Sequence, residues 1–158
     1  MTTKKLAFFA LIAAVYAVST VALGNLAYGP VQFRPAEALT LLPFLFPGAQ
    51  WGLFVGCGIA NFASSYGVLD IVFGSLATLL AGWLTSRFKN VWLAAFPPVI
   101  VNALVVSTLI FINTPNAALS LWPETAGSIF LTQALWCYGL GVPLTFALKR
   151  LKPKLGGI

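Results

Sequence analysis

Three acids stand in a chain that is otherwise almost free of negative charge: Glu37, Asp70 and Glu124. In an apolar setting an ionised group must be paired or face water, so each of them is informative. Glu37 is the sharpest case. It follows Arg34 by three residues, at the start of a short helix entered from the proline-stiffened run Gly29-Pro30-Val31-Gln32-Phe33-Arg34-Pro35. That spacing lets both side chains share one face and one aqueous pocket. The pair then serves either as a structural brace, with Glu37 favoured in a first helical turn by the helix dipole, or as a site in which the carboxylate accepts hydrogen bonds from a polar ligand. Asp70, placed as the N-cap of a later helix, has the same two readings. Glu124 reads as a cap or a solvated loop acid.

Amides supply complementary groups. Asn102 lies in the middle of an apolar run, Gln133 lies inside the last apolar segment, and Asn61 lies near the end of a glycine-rich one. Buried amides need partners. Interhelical hydrogen bonding is one answer; a planar polar ligand that needs both donors and acceptors is the other. Trp136, three residues after Gln133, falls near such a pocket, whereas Trp51, Trp83, Trp92 and Trp122 read as interfacial anchors. Cys57 and Cys137 sit in apolar runs as small packing residues. Ala10, Ala13, Ala14 and Ala17 form a narrow smooth face on the first segment, suited to close approach by another helix.

The elements that position these residues follow from composition. The chain has 158 residues, 59% hydrophobic and 8% charged, which excludes a soluble domain and defines an all-α integral membrane protein. With no His and two Cys, neither a metal site nor an enzyme is expected, and no cofactor is called for. Six apolar segments, at about 6–23, 36–46, 49–63, 71–85, 91–112 and 128–148, predict a six-transmembrane-helix bundle in a single membrane domain over residues 1–158. The second and third segments are short, so a re-entrant hairpin with four full crossings is the alternative. The first segment is expected to be a retained crossing rather than a cleaved signal.

Charge orients the bundle. With Lys4 and Lys5 cytoplasmic, six crossings put Arg87, Lys89, Lys149, Arg150, Lys152 and Lys154 on the same side, as the positive-inside rule asks. Both termini are then cytoplasmic in a multi-pass protein of the cell membrane, while Arg34 and the three acids lie outside. The net charge of +6 therefore belongs to crossing ends and not to a nucleic-acid-binding face.

The run Gln32-Phe33-Arg34 leading into Glu37-Ala38-Leu39-Thr40, followed by Asp70-Ile71-Val72-Phe73-Gly74-Ser75-Leu76-Ala77-Thr78, resembles the QueT family over nearly the whole chain. These are substrate-binding S components of energy-coupling factor (ECF) transporters linked to uptake of queuosine precursors. The resemblance implies an outward-facing pocket for a 7-deazaguanine-type base, and partnership with a membrane-embedded coupling subunit driven by two ATPase subunits. It also implies docking on that subunit through Ala10, Ala13, Ala14 and Ala17. For such a base, Glu37 would accept adjacent N–H donors, Asn102 or Gln133 would serve its carbonyl and ring nitrogen, and Asp70 would meet an aminomethyl cation, with Arg34 and Trp136 completing the pocket. No Walker motif is present, so energy for active transport must come from a partner. An S component for another vitamin or purine is the nearest alternative. A self-sufficient secondary transporter is the next.

Overall fold

The computed structural model describes residues 3–151. Lys152 and Lys154 of the expected basic cluster lie outside the described residues. The described chain is all helical, in seven helices. The first, α1 (Thr3–Val21), is an apolar run without Gly or Pro. It is followed by Gly24 in the left-handed region, at φ 51°, and by the single turn α2 (Asn25–Tyr28).

Next comes α3 (Pro35–Leu45), which is wound as a tight 3-10 helix over Pro35–Leu41 and relaxes to α-helix over Leu42–Leu45. Pro43 explains the tightening. It has no N–H for the carbonyl four residues back, and the Leu39 carbonyl accepts from Leu42 instead. The rest are α4 (Ala49–Asn61), α5 (Gly67–Thr85), α6 (Val91–Asn113) and α7 (Leu121–Leu151). A wider π turn interrupts α5 at Asp70–Gly74 and α7 at Leu135–Gly141.

Four of these helices, α1, α5, α6 and α7, are long and apolar enough to cross a membrane. The expected six crossings are thus met by four helices of spanning length. At about 1.5 to 2 Å of rise per residue, α3 and α4 each reach only about 20 Å, against a hydrocarbon core of about 30 Å. Instead α3 is buried among the longer helices, with Ala36, Glu37, Ala38, Thr40, Leu41, Leu42, Pro43 and Leu45 all inside.

Two boundaries differ from the sequence expectation, and both move an acid into a helix. The α5 helix begins at Gly67, whose φ of 65° makes the turn itself, so Asp70 lies within the helix and is no N-cap. The α7 helix begins at Leu121, seven residues before the expected start, because Pro123 sits in its first turn, where a missing N–H costs nothing. Glu124 falls in that same first turn, exposed to solvent.

The packing of α1 on α4 depends on two glycines. A Cβ on Gly52 would stand 2.5 Å from the Phe9 carbonyl oxygen, and one on Gly56 would stand 2.7 Å from that of Ala13. Backbone therefore meets backbone. Phe9, Ile12 and Tyr16 pack there with Leu42, Leu45, Phe46 and Leu53, and Phe8 and Leu148 of α7 both pack against the same cluster. The start of α1 and the end of α7 thus share one apolar cluster. Lys89 and Lys149 line one groove near that end.

Candidate functional site

At the opposite end, the 29–35 loop folds over the start of α3. The Gln32 amide N–H donates to the Gly29 carbonyl at 3.0 Å, and that of Phe33 to Leu26 at 2.9 Å. Gln32 itself takes a left-handed backbone, φ 51°, unusual for a residue with a Cβ. Side chains of α7 hold the loop down. The Thr132 hydroxyl donates to the Val31 carbonyl at 2.7 Å, and one turn later Trp136 meets the Phe33 ring edge-on, with centroids 4.8 Å apart.

Beneath the loop, Arg34 is buried, only 4% exposed. Its Nε donates to the Ala27 carbonyl at 2.6 Å and its guanidinium lies 5.0 Å from the centre of the Tyr28 ring. The Tyr28 hydroxyl donates to the Ala60 carbonyl at 2.6 Å, and burial pushes the phenol above its ordinary range, so it stays a neutral donor. Arg34 forms its ion pair with Asp70 of α5, Nη2 to Oδ2 at 3.9 Å. The Arg34–Glu37 brace, one of the two readings of that spacing, is not formed; Arg34 pairs with Asp70 instead. In a 3-10 first turn Glu37 heads inward along the helix, while Arg34, still in the loop, faces the widened turn of α5. Asn61 of α4 donates to the Asp70 backbone carbonyl at 2.8 Å.

Glu37 lies deeper and joins four helices. Its Oε1 accepts from the Tyr16 hydroxyl of α1 at 2.5 Å, and its Oε2 from Asn102 Nδ2 of α6 at 3.1 Å. Gln133 of α7 stands beside the same carboxylate, and its Oε1 faces the Cys137 thiol at 3.9 Å. Thr40 and the Cys137 thiol surround the Glu37 carbonyl. Of the residues singled out from sequence, Glu37, Asn102 and Gln133 therefore form one network. Arg34, Asp70 and Asn61 form a second, and Trp136 belongs to the loop contact.

Tyr16 and Gln32 were not singled out. A single phenol in an apolar helix is the available signal for Tyr16, although nothing in the spacing tells which acid it meets. Among the described residues, five buried side-chain atoms have no hydrogen-bond partner: Gln32 Nε2, Arg34 Nη2, Asn61 Oδ1, Asp70 Oδ2 and Trp136 Nε1. The small-residue face of α1 divides. Ala13 and Ala17 are buried, with Ala13 against Gly56 of α4, whereas Ala10 and Ala14 are exposed.

Helices of spanning length around a buried centre of charged and amide groups define a multi-pass membrane protein with a polar interior. Comparison with known sequences makes this particular. The chain belongs to the QueT transporter family, whose model matches residues 6–150. It is 34% identical over 94 residues to the "Queuosine precursor transporter QueT" of Lactococcus lactis subsp. cremoris (strain MG1363), a match covering 56% of this chain and 55% of that protein. The match thus spans about half the length of the curated relative. No solved structure matches the chain.

Proposed function

We propose that this chain is the substrate-binding S component of an ECF-type importer and captures a queuosine precursor, a 7-deazaguanine-type base, from outside the cell. One observation carries the binding reading: the five unpartnered polar atoms gathered around the Arg34–Asp70 pair and the loop above it. A brace matches its own donors to its own acceptors, since an unmet buried polar group costs about 1 to 3 kcal/mol. Three spare donors and two spare acceptors are instead a demand for a polar ligand. The name of the Lactococcus relative supports the choice of a queuosine precursor.

In this reading the 29–35 loop is the lid. Ligand enters when Val31 and Phe33 part from Thr132 and Trp136, and Glu37 holds Tyr16, Asn102 and Gln133 in place below. The basic end faces the cytoplasm, with both termini there, and α3 and α4 complete a six-helix membrane unit. The exposed Ala10 and Ala14 of α1 meet the coupling subunit, which two ATPases drive, while Ala13 and Ala17 stay with α4. The test is calorimetric titration of the purified protein with 7-deazaguanine-type bases, joined to mass spectrometry of whatever co-purifies. Saturable one-to-one binding of such a base is expected. A different co-purified nutrient, with no deazaguanine binding, would overturn the choice of substrate.

A further inference from the structure

We infer that Arg34, Asp70 and Asn61 form a donor–acceptor–acceptor row that reads a 2-amino-lactam edge, the carbonyl, ring N–H and amino group of a guanine-like ring; this rests on the binding reading above. Arg34 Nη2 and Asp70 Oδ2 stand 3.9 Å apart, and neither has a hydrogen-bond partner. A closed guanidinium–carboxylate pair sits at about 2.8 Å. Both partners of this one are restrained from closing. Arg34 is tied through Nε to Ala27 and seated on Tyr28. Asp70 is lodged in the π turn, with Oδ1 2.8 Å from where a Cβ on Gly74 would be.

That separation matches the spacing of a lactam edge, whose nitrogen and oxygen are about 2.3 Å apart by amide bond lengths, once the loop above has parted to admit it. Its N–H donates to Asp70 and its C=O accepts from Arg34, in two hydrogen bonds of about 2.9 Å. An ammonium group does not fit, because it would meet the Arg34 guanidinium as a like charge. Asn61 extends the row. Its amide nitrogen lies 2.8 Å from the same Gly74 position, beside the Asp70 carboxylate, and is engaged by the Asp70 backbone carbonyl, which leaves Oδ1 as an unpartnered acceptor. A second donor next to the lactam N–H, an exocyclic amino group, satisfies it. All three residues are at most 4% exposed, so the row is a built site. Glu37 stands outside it, its oxygens held by Tyr16 and Asn102.

The experiment compares 7-deazaguanine with 7-deazahypoxanthine, which lacks only the amino group, by titration of the purified full chain. The intact protein should prefer the amino compound by at least about tenfold. Asn61→Ala should shrink that ratio toward unity, Asp70→Asn should weaken both ligands, and Glu37→Gln should weaken both without changing the ratio. Should Asn61→Ala fail to melt cooperatively in detergent, Asn61→Ser serves the same purpose. An unchanged ratio in a folded Asn61 variant, with 7-deazaguanine still bound, overturns the row and leaves the importer reading standing. Absence of binding by either base in the intact protein overturns both.

Discussion

Glu37 gives each oxygen to a donor from a different helix, Tyr16 of α1 and Asn102 of α6. Changing the donor or the acceptor separates its duties. Tyr16→Phe keeps the ring, which is fully buried, and deletes one hydrogen bond to a charged group, worth about 1.5 to 3 kcal/mol. The variant should melt lower in detergent and lose ligand affinity severalfold. Glu37→Gln turns an acceptor into an NH2 that faces donors, so its loss of affinity should reach about tenfold or more, about 1.4 kcal/mol. A Glu37→Gln protein that melts and binds as the parent does would remove the network from the site. The acid was legible in sequence because a carboxylate in an apolar chain demands an explanation. Its partners were only half legible: Asn102 and Gln133 stand out as amides, while Tyr16 and the choice of Asp70 over Glu37 for Arg34 depend on the pitch of α3.

That pitch belongs to the elements. Apolar runs and breakers predict where helices are: α3, α4 and α6 fall within two residues of the expected limits, and α1 within three. Outside a proline such as Pro43 they do not predict winding, because a π or 3-10 turn changes which carbonyl meets which N–H without changing the hydrophobic pattern. The Asp70–Gly74 turn matters most here, and Gly74 gives a way to perturb it. Its backbone is ordinary helix, φ −63°, so alanine is tolerated there and favoured by about 1 kcal/mol in propensity. The new Cβ, however, would lie 2.8 Å from both Asn61 Nδ2 and Asp70 Oδ1. Gly74→Ala should therefore leave the melting temperature near that of the parent and weaken base binding at least fivefold, as the two side chains are pushed from register. Gly56→Ala should behave in the opposite way. Its Cβ meets the Ala13 backbone at 2.7 Å, which cannot swing aside, so overpacking of about 1 to 3 kcal/mol lowers stability while affinity in the surviving folded fraction is kept. Equal loss of stability in both variants would mean that Gly74 is only a packing residue.

At the scale of the whole molecule, charge and energy make one prediction together. The described basic residues other than Arg34 stand where α1 begins, between α5 and α6 and where α7 ends, with Lys89 and Lys149 on one groove, and the Arg34–Asp70 pair lies under the 29–35 loop. Cationic ends remain in the cytoplasm, so the loop should face outside. Because Cys57 and Cys137 are both buried, a single cysteine placed at Asn116 or at Asn90 can report the side by labelling with an impermeant maleimide. Asn116 should react in intact cells, and Asn90 only after the membrane is opened. On the proposed function, a chain in this orientation binds from outside; its sequence contains no nucleotide-hydrolysing motif, so binding and uptake should separate. Vesicles holding the chain alone should bind labelled 7-deazaguanine to about one per protein and accumulate none against a gradient. Vesicles that also hold the coupling subunit and its ATPases should accumulate it when ATP is supplied inside. Accumulation by the chain alone, driven by a proton or sodium gradient, would make the polar centre the transport path of a secondary transporter, and the exposed Ala10 and Ala14 would then have no coupling subunit to meet.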